Sequence, residues 1–207
     1  MKDVWLNIWE VRYGQDEYAF GIEPNEYVKK QLLKIEPGSI LLPAEGEGRN
    51  AVFAAEMGWT ASAFAISANG RNIALKLAQE SNITINYRIG ALPVLDYTKA
   101  QFDVIALIYA HLPVSIGFNY HQLLGGYVRK GGHIIFESFS KNHLEYRARN
   151  EKVGGPKHLD SLMSIEEIKS DFQQYDIIEL VEDVIDLQEG IYHNGQGSVI
   201  RFVGRKK

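Results

Sequence analysis

Short continuous apolar runs alternate with helical-period segments along this chain, and the clearest example begins at residue 40. The apolar run 40–43 leads into Gly46-Glu47-Gly48, and an Ala-rich helical pattern over about 50–57 then stops at Gly58. A second apolar segment, 59–66, follows at once. Strand, glycine turn, helix and strand in this order are typical of a parallel βαβ unit.

The same patterns predict the remaining elements. Strands are expected at about residues 39–43, 60–66, 83–89, 102–108, 133–136, 175–187 and 192–203, the last two as an antiparallel pair. Helices are expected after Pro24-Asn25-Glu26, over about 50–57, around 73–78, over about 114–128, and after the capping box that begins at Ser164. Residues 129–132 are predicted to form a tight turn, and residues 138–160 a loop-rich excursion. The expected fold is therefore α/β, a doubly wound, mostly parallel seven-stranded sheet with a C-terminal antiparallel hairpin.

Composition narrows the class of protein further. At 207 residues we expect one domain, 1–207, in which residues 1–36 form an N-terminal lid or helix segment and residues 37–207 the α/β core. The net charge of −4 argues against a nucleic-acid partner, and the basic end, Arg201 to Lys207, is interpreted as a solvated tail. No apolar run approaches the roughly 18 residues that span a bilayer, and the charged N-terminus is unlike a signal peptide. Because the chain has no cysteine, a cytoplasmic location is the expectation.

Ligands of doubly wound sheets bind outside the carboxyl ends of the strands. The predicted strand ends that should line one crevice are residues 43–48, 65–67, 91–92, 108–111 and 137–139.

Several motifs in register carry a family resemblance. They are Trp9 and Tyr13, Tyr18 to Asn25, Glu45 to Asn50, Phe102-Asp103-Val104, Tyr109 to Pro113, Lys130-Gly131-Gly132, Gly154-Gly155-Pro156, Glu189-Gly190 and His193-Asn194-Gly195. With this layout the chain resembles the class I S-adenosylmethionine-dependent methyltransferases. Within them it is similar to the small bacterial group of tellurite-resistance and thiopurine methyltransferases. The resemblance implies a Rossmann-like methyltransferase fold, S-adenosyl-L-methionine as cofactor and methyl transfer to a small molecule.

The resemblance also implies which residues meet the cofactor. The glycine turn would pass under its methionine part, strand two would end at the ribose, strand three at the adenine and strand four at the sulfonium. The implied cofactor-binding residues are Ala44, Glu45, Gly46, Glu47, Gly48, Arg49, Asn50, Ala65, Ile66, Ser67, Ala91, Leu92 and Ile108.

Four positions depart from the family pattern. Leu42 stands where an acid usually begins the first loop, and Ala44 replaces its first glycine; Glu45 or Glu47 could supply the carboxylate instead. Ala65 and Ala91 stand where acids usually bind the ribose and the adenine. Each lost charge-assisted hydrogen bond costs roughly 1.5–3 kcal/mol, so Ser67, Asn69 or a carboxylate from elsewhere would have to compensate.

Two residues after strand four are the candidate catalytic groups. His111 is expected to serve acid–base chemistry or to contact the acceptor, or else to order the following turn. Tyr109 is expected to stack near the adenine or to cover the sulfonium, or else to be a core aromatic. A soft, deprotonated acceptor such as a thiol or tellurite needs no base, whereas a hydroxyl or amine does.

The candidate acceptor-binding residues come from the N-terminal segment and from the C-terminal half of the chain. They are Tyr13, Tyr18, Phe20, Glu137 and His193. The three aromatic residues would fold over the crevice as a lid or simply pack the first helix. Glu137, and His193 with Glu189 at the hairpin turn, would bind the acceptor or act structurally. Arg49 would meet the cofactor carboxylate or pair with Glu45 or Glu47.

No HxH or HExxH spacing and no G-x-S-x-G elbow occur, so neither a metal site nor acyl hydrolysis is predicted. Two alternatives to a methyltransferase stay open. One is a degenerate methyltransferase fold that acts as a non-catalytic ligand-binding or regulatory module. The other is a dinucleotide-binding protein, which the incomplete glycine pattern disfavours.

Overall fold

The sheet has seven strands in the spatial order β3-β2-β1-β4-β5-β7-β6. The computed structural model describes residues 2–111 and 114–207, and the side chains of residues 4–111 and 117–207. The strands are β1 (Ser39–Pro43), β2 (Thr60–Ala65), β3 (Asn86–Ile89), β4 (Phe102–Ile108), β5 (Val128–Phe139), β6 (Tyr175–Glu189) and β7 (His193–Lys206). Strands β1 to β5 pair in parallel, and β7 runs antiparallel to both β5 and β6. The predicted α/β fold with a C-terminal hairpin is confirmed.

The described residues form seven α-helices, which cover the sheet. They are α1 (Lys2–Arg12), α2 (Glu26–Leu32), α3 (Arg49–Glu56), α4 (Ala68–Glu80), α5 (Val114–Tyr127), α6 (His143–Arg149) and α7 (Ile165–Asp171), with short 3-10 turns at Glu151–Val153 and Leu159–Ser161. None of the helices in the described part of the chain combines the length and the apolar composition that crossing a bilayer requires.

The alternation of side chains along β1 divides the core into two layers. Ile40 and Leu42 belong to the cluster that α2, α3 and α4 cover, whereas Leu41 belongs to the opposite cluster under α5 and α7. Successive side chains of a strand point to opposite faces, so a continuous apolar run is what a strand covered on both faces requires.

Four local predictions were wrong. Residues 129–132 lie inside β5, beside a register shift in its pairing with β4, and do not form a tight turn. Residues 138–160 contain the end of β5, α6 and a 3-10 turn. Strand β3 begins only at Asn86. The basic end is no solvated tail, because β7 extends to Lys206, whose ammonium donates to the carbonyls of Gly125 and Val128.

Candidate functional site

The turn after β1 has the left-handed backbone that a closely approaching ligand requires. Ala44, Gly46 and Gly48 have φ values of 55°, 62° and 88°, and Gly48 is the N-cap of α3. The carboxylate of Glu45 folds back under the turn and accepts hydrogen bonds from the backbone N–H groups of Asn50 and Ala51, at 2.7 and 2.8 Å. Burial raises the pKa of Glu45 to about 7 despite these bonds. The amino end of α3 is thus capped by the chain's own carboxylate.

The neighbouring strand ends have no carboxylate of their own. Ala65 ends β2, and Ser67 caps α4 by accepting from the N–H of Gly70 at 3.0 Å. The carboxylate beside the end of β2 belongs to Glu10 of α1, which accepts hydrogen bonds from the backbone N–H groups of Ala68 and Asn69. After β3, the N–H of Leu92 donates to the Tyr120 hydroxyl, and Ala91 is half-buried.

Tyr13 fills the space above the glycine turn. It is 7% exposed, and a Cβ built on Gly46 would lie 2.5 Å from its hydroxyl oxygen. A Cβ built on Gly70 of α4 would lie 3.0 Å from its ring. Burial, and then the Glu47 carboxylate, raise the pKa of Tyr13. Tyr13, which was predicted to bind the acceptor, therefore lies against the predicted cofactor residues of the turn.

Residues 18–25, which we call the strap, are held by hydrogen bonds to three polar side chains of the turn 44–50. Glu47 accepts from the backbone N–H groups of Ala19 and Phe20, at 2.9 and 3.4 Å. Arg49 donates to the Phe20 carbonyl at 3.1 Å, and Asn50 accepts from the N–H of Asn25 at 2.9 Å. Because these partners are 25–29 residues away in sequence, the motif Glu45 to Asn50 organises the strap as well as its own turn.

A buried network of two carboxylates joins the strap to the hairpin. The side-chain amide of Asn25 donates to Glu137 at 2.6 Å and to Glu189 at 2.9 Å. Glu137 is 0% exposed and pairs with Arg201 at 2.6 Å, while Glu189 pairs with Arg49 at 3.0 Å. The two carboxylates thus each have one guanidinium, which is what charges need when they are taken out of water.

This network gives Arg49 a partner that the sequence analysis did not consider. Arg49 pairs with Glu189 and not with Glu45 or Glu47. Burial raises the pKa of Glu189, but the hydrogen bond from His193 and the Arg49 guanidinium outweigh it and hold that pKa at about 2. Burial also raises the pKa of Glu137, with Arg201 and Asn25 opposing.

An aromatic cluster lies beyond the end of β4. Tyr109 has an unusual φ of 47° and packs 4.7 Å from Phe139 and 4.6 Å from His193, between ring centroids. Phe139 stacks on His111 at 5.8 Å and on His143 at 3.9 Å, between ring centroids. A strained residue at a strand end is a feature of functional sites.

Three buried polar atoms of this cluster have no hydrogen-bond partner among the described residues: Tyr109 Oη, His111 Nε2 and His143 Nδ1. Burial, and then the nearby His193 and His143, lower the pKa of His111 to about 3. Burial likewise lowers the pKa of His143 to about 4, although its hydrogen bond to Gly154 opposes the shift. Both imidazoles are therefore neutral at pH 7.

The predicted site residues divide into two groups in space. The turn 44–50 lies under Tyr13, the strand end 65–67 adjoins Glu10 of α1, and Leu92 after β3 contacts Tyr120 of α5. Tyr109, His111, Phe20 and His193 meet around Phe139, with Ile108 paired to Glu137 beside them. Tyr18 does not join this cluster; burial and then the Glu80 carboxylate of α4 raise its pKa. Leu112 and Pro113 lie outside the described residues.

Sequence reasoning missed Glu10, the bridging amide of Asn25, Arg201 and His143, and it included Phe139 only as the end of the predicted crevice segment 137–139. Asn25 had a partial signal, because Pro24-Asn25-Glu26 marks a helix start and its side chain does cap α2. Glu10 and Arg201 had none, since their partners are 58 and 64 residues away. Among residues 2–111 and 114–207, no group of three His, Asp or Glu side chains has the geometry to hold a metal ion.

No protein-family model and no curated protein matches the chain. Solved structures do match over its whole length. The protein studied for the conversion of a disulfide bond into a thioacetal group during echinomycin biosynthesis is 16% identical with a TM-score of 0.76, covering 99% of this chain and 92% of that one. TehB from Haemophilus influenzae is 14% identical with a TM-score of 0.71, covering 98% of this chain and 67% of that one.

A S-adenosylmethionine-dependent methyltransferase from Anabaena variabilis is 16% identical with a TM-score of 0.69, covering 99% of this chain and 94% of that one. These likenesses include the C-terminal hairpin, because almost the entire chain is superposed. At such low identity they show the fold alone, which is the Rossmann-like fold of the S-adenosylmethionine-dependent methyltransferase from Anabaena variabilis.

Proposed function

We propose that this protein is an S-adenosyl-L-methionine-dependent methyltransferase that acts on a small molecule with a soft nucleophile. The observation that carries the proposal is the left-handed turn of Ala44, Gly46 and Gly48, at the end of β1 and next to β4. This is the switch point at which doubly wound sheets bind their ligands. The whole-chain likeness to a S-adenosylmethionine-dependent methyltransferase supports this cofactor over a dinucleotide.

The turn fits such a cofactor once Tyr13 moves. The atoms that a Cβ on Gly46 would meet all belong to the far end of the Tyr13 side chain, so the backbone beneath is open to close approach. Ala44 to Asn50 would hold the methionine part, Ala65, Ile66 and Ser67 the ribose, Ala91 and Leu92 the adenine, and Ile108 the sulfonium end. Since Ala65 and Ala91 offer no carboxylate, Ser67 and Asn69 would supply the polar contacts at the ribose.

The cofactor would supply an electrophilic methyl group, and the chain's own residues would orient the reactants and exclude water. His111 lies three residues after the end of β4, but its pKa of about 3 makes it a poor base at neutral pH. Glu137 and Glu189 are committed to guanidinium partners. These facts favour an acceptor that is already ionised, such as a thiolate or a tellurite-type anion.

The acceptor side is proposed from the aromatic cluster. Phe20 and His193, whose ring centroids are 4.6 Å apart, would form its wall with Tyr109. The unpartnered Nε2 of His111 and Oη of Tyr109 would give the acceptor its hydrogen bonds. A sulfur acceptor is in keeping with the echinomycin-related neighbour, whose study concerns a disulfide that becomes a thioacetal. We keep a cytoplasmic location and the absence of a nucleic-acid partner as predictions.

Calorimetric titration of the full chain with S-adenosylhomocysteine tests the proposal. We expect binding by the unmodified protein and its loss in Gly46→Ala, because the new Cβ fills the space above the turn 44–50, which we call the cofactor cradle. Gly58→Ala is the matched control: its φ of 90° carries the same backbone strain, yet the nearest atom to its Cβ is Pro37 at 3.9 Å. Binding of NAD in place of S-adenosylhomocysteine would favour the dinucleotide hypothesis.

A second candidate is a degenerate fold that acts as a non-catalytic module. Tyr13 in the cradle, together with Ala65 and Ala91, favours it. Ala65→Asp separates the two candidates. Binding of S-adenosylhomocysteine by Ala65→Asp alone would indicate a lost function, whereas methyl transfer to any member of a thiol and tellurite panel by the unmodified protein would exclude the degenerate module.

A further inference from the structure

The cofactor side of the crevice is filled by the chain itself. Tyr13 covers Gly46 of the turn and Gly70 of α4, and the carboxylate of Glu10 caps α4 beside the end of β2. The side-chain amide of Asn69 donates back to the Glu10 carbonyl at 3.0 Å. The ring of Tyr13 and the carboxylate of Glu10 thus cover the ends of the adjacent strands β1 and β2.

The helix that carries them is weakly built into the fold. Val4, Trp5, Ile8 and Val11 of α1 are 41–64% exposed, so little of its apolar surface is buried. Its other described side-chain contacts include Trp9, which stacks on Tyr13, and Arg12. The Arg12 guanidinium lies over Trp9 at 4.8 Å, over Tyr192 at 4.3 Å and over Phe20 of the strap at 6.0 Å. A helix of 11 residues is marginal without packing, so few contacts have to break to release α1.

We propose that α1 with Tyr13, residues 2–13, is a displaceable plug of the cofactor cradle. This inference rests on the proposed function and adds a regulatory step to it: the ligand and Tyr13 compete for the same turn. The protein then divides between a plugged and an open state, and the apparent affinity is reduced by the fraction that is open. The strap stays in place in both states, because its hydrogen bonds involve none of the plug residues.

The test is titration of the full chain and three variants with S-adenosylhomocysteine. Tyr13→Ala removes the plug and is expected to tighten binding roughly tenfold or more. Glu10→Gln loosens α1 without a cavity and should shift affinity in the same direction, which keeps the test valid if Tyr13→Ala folds poorly. Trp5→Ala is the matched control, an aromatic residue of the same helix that is 41% exposed and is not among the atoms nearest to a Cβ on Gly46 or Gly70. It should bind as the unmodified protein does.

Hydrogen exchange gives a second measurement that does not depend on activity. If α1 is a plug, the amides of residues 2–13 lose protection when S-adenosylhomocysteine binds, while those of residues 18–25 keep it. Weaker binding by Tyr13→Ala, with increased protection of α1, would make the helix a wall of the site and overturn the inference. If neither the unmodified chain nor any variant binds, the proposed cofactor fails and the plug fails with it. Equal binding by all four proteins overturns the plug alone.

Discussion

The strap and α1 are consecutive parts of one N-terminal segment, yet the fold holds them in different ways. The backbone of the strap and the side-chain amide of Asn25 form hydrogen bonds with side chains that are buried or nearly so: Glu47, Arg49, Asn50, Glu137 and Glu189. α1 uses one half-buried carboxylate and one buried aromatic ring, and leaves most of its apolar side chains in water. A buried charged group is strongly destabilising when it loses its partner. The strap is therefore held as part of the core, whereas α1 is attached to the core by few contacts.

The largest expected effect is at Glu137. Glu137→Ala leaves Arg201 and the Asn25 amide without their carboxylate in a buried setting, and we expect a loss of roughly 3–5 kcal/mol in the free energy of unfolding. Urea denaturation followed by circular dichroism measures it. Glu145→Ala on α6 is the control, because its pair with Arg149 is 74% exposed on both sides and should change stability by less than about 0.5 kcal/mol. A loss below about 1 kcal/mol at Glu137 would contradict the assignment of the strap to the core.

The next effect is a pH dependence at Glu45, which Asn50 links to the strap. Its pKa is about 7 in the folded protein and about 4.3 in an unfolded chain, so the folded protein binds the proton more tightly. Its contribution to stability therefore falls as pH rises from about 4.3 to 7, by about 3 kcal/mol. His111 and His143 titrate in the opposite sense, because their folded pKa values are lowered.

The difference between the unmodified protein and Glu45→Gln isolates the carboxylate from these histidines. We expect the variant to gain relative stability steadily from pH 5 to pH 7 in urea titrations. Glu166→Gln, an exposed acid in the first turn of α7, serves as the control and should follow the unmodified protein at every pH. Parallel curves for Glu45→Gln and the unmodified protein would mean that the Glu45 carboxyl is ionised throughout this range.

Asn25→Asp tests the bridge between the two carboxylates. Aspartate caps α2 as well as asparagine does, so the change removes only the amide donor and places a third carboxylate beside Glu137 and Glu189. We expect a loss of about 2–3 kcal/mol, since hydrogen bonds to charged groups are lost. Asn142→Asp is a close match, because its amide also donates to a carboxylate, Glu182, but in an exposed setting. An equal loss in both variants would show that burial of the bridge is unimportant.

The sequence predicted elements whose cause is local. The run Phe102–Ile108, apolar apart from Asp103, is β4 to the residue, and Ser164 with Glu167 does form the capping box of α7. The turn at Gly46 and Gly48 was found because only glycine adopts its backbone readily. The strap network was not, because Asn25 lies 112 residues from Glu137 and 164 from Glu189, and no local pattern encodes such pairs. The basic end was misinterpreted for the same reason, since the partner of Arg201 is in β5.

The smallest effect on stability is expected at Glu10. This variant nevertheless distinguishes α1 from the strap most directly. Glu10→Gln keeps an oxygen for one N–H group of α4 but loses the charge at the helix end, which is worth about 0.3–1 kcal/mol at a half-exposed site. Global unfolding in urea should therefore change little. Hydrogen exchange in α1 should nevertheless rise toward that of a free helix, because α1 can detach without the core. Unchanged exchange in α1, or a loss of global stability as large as that of Asn25→Asp, would instead make α1 part of the same cooperative unit as the strap.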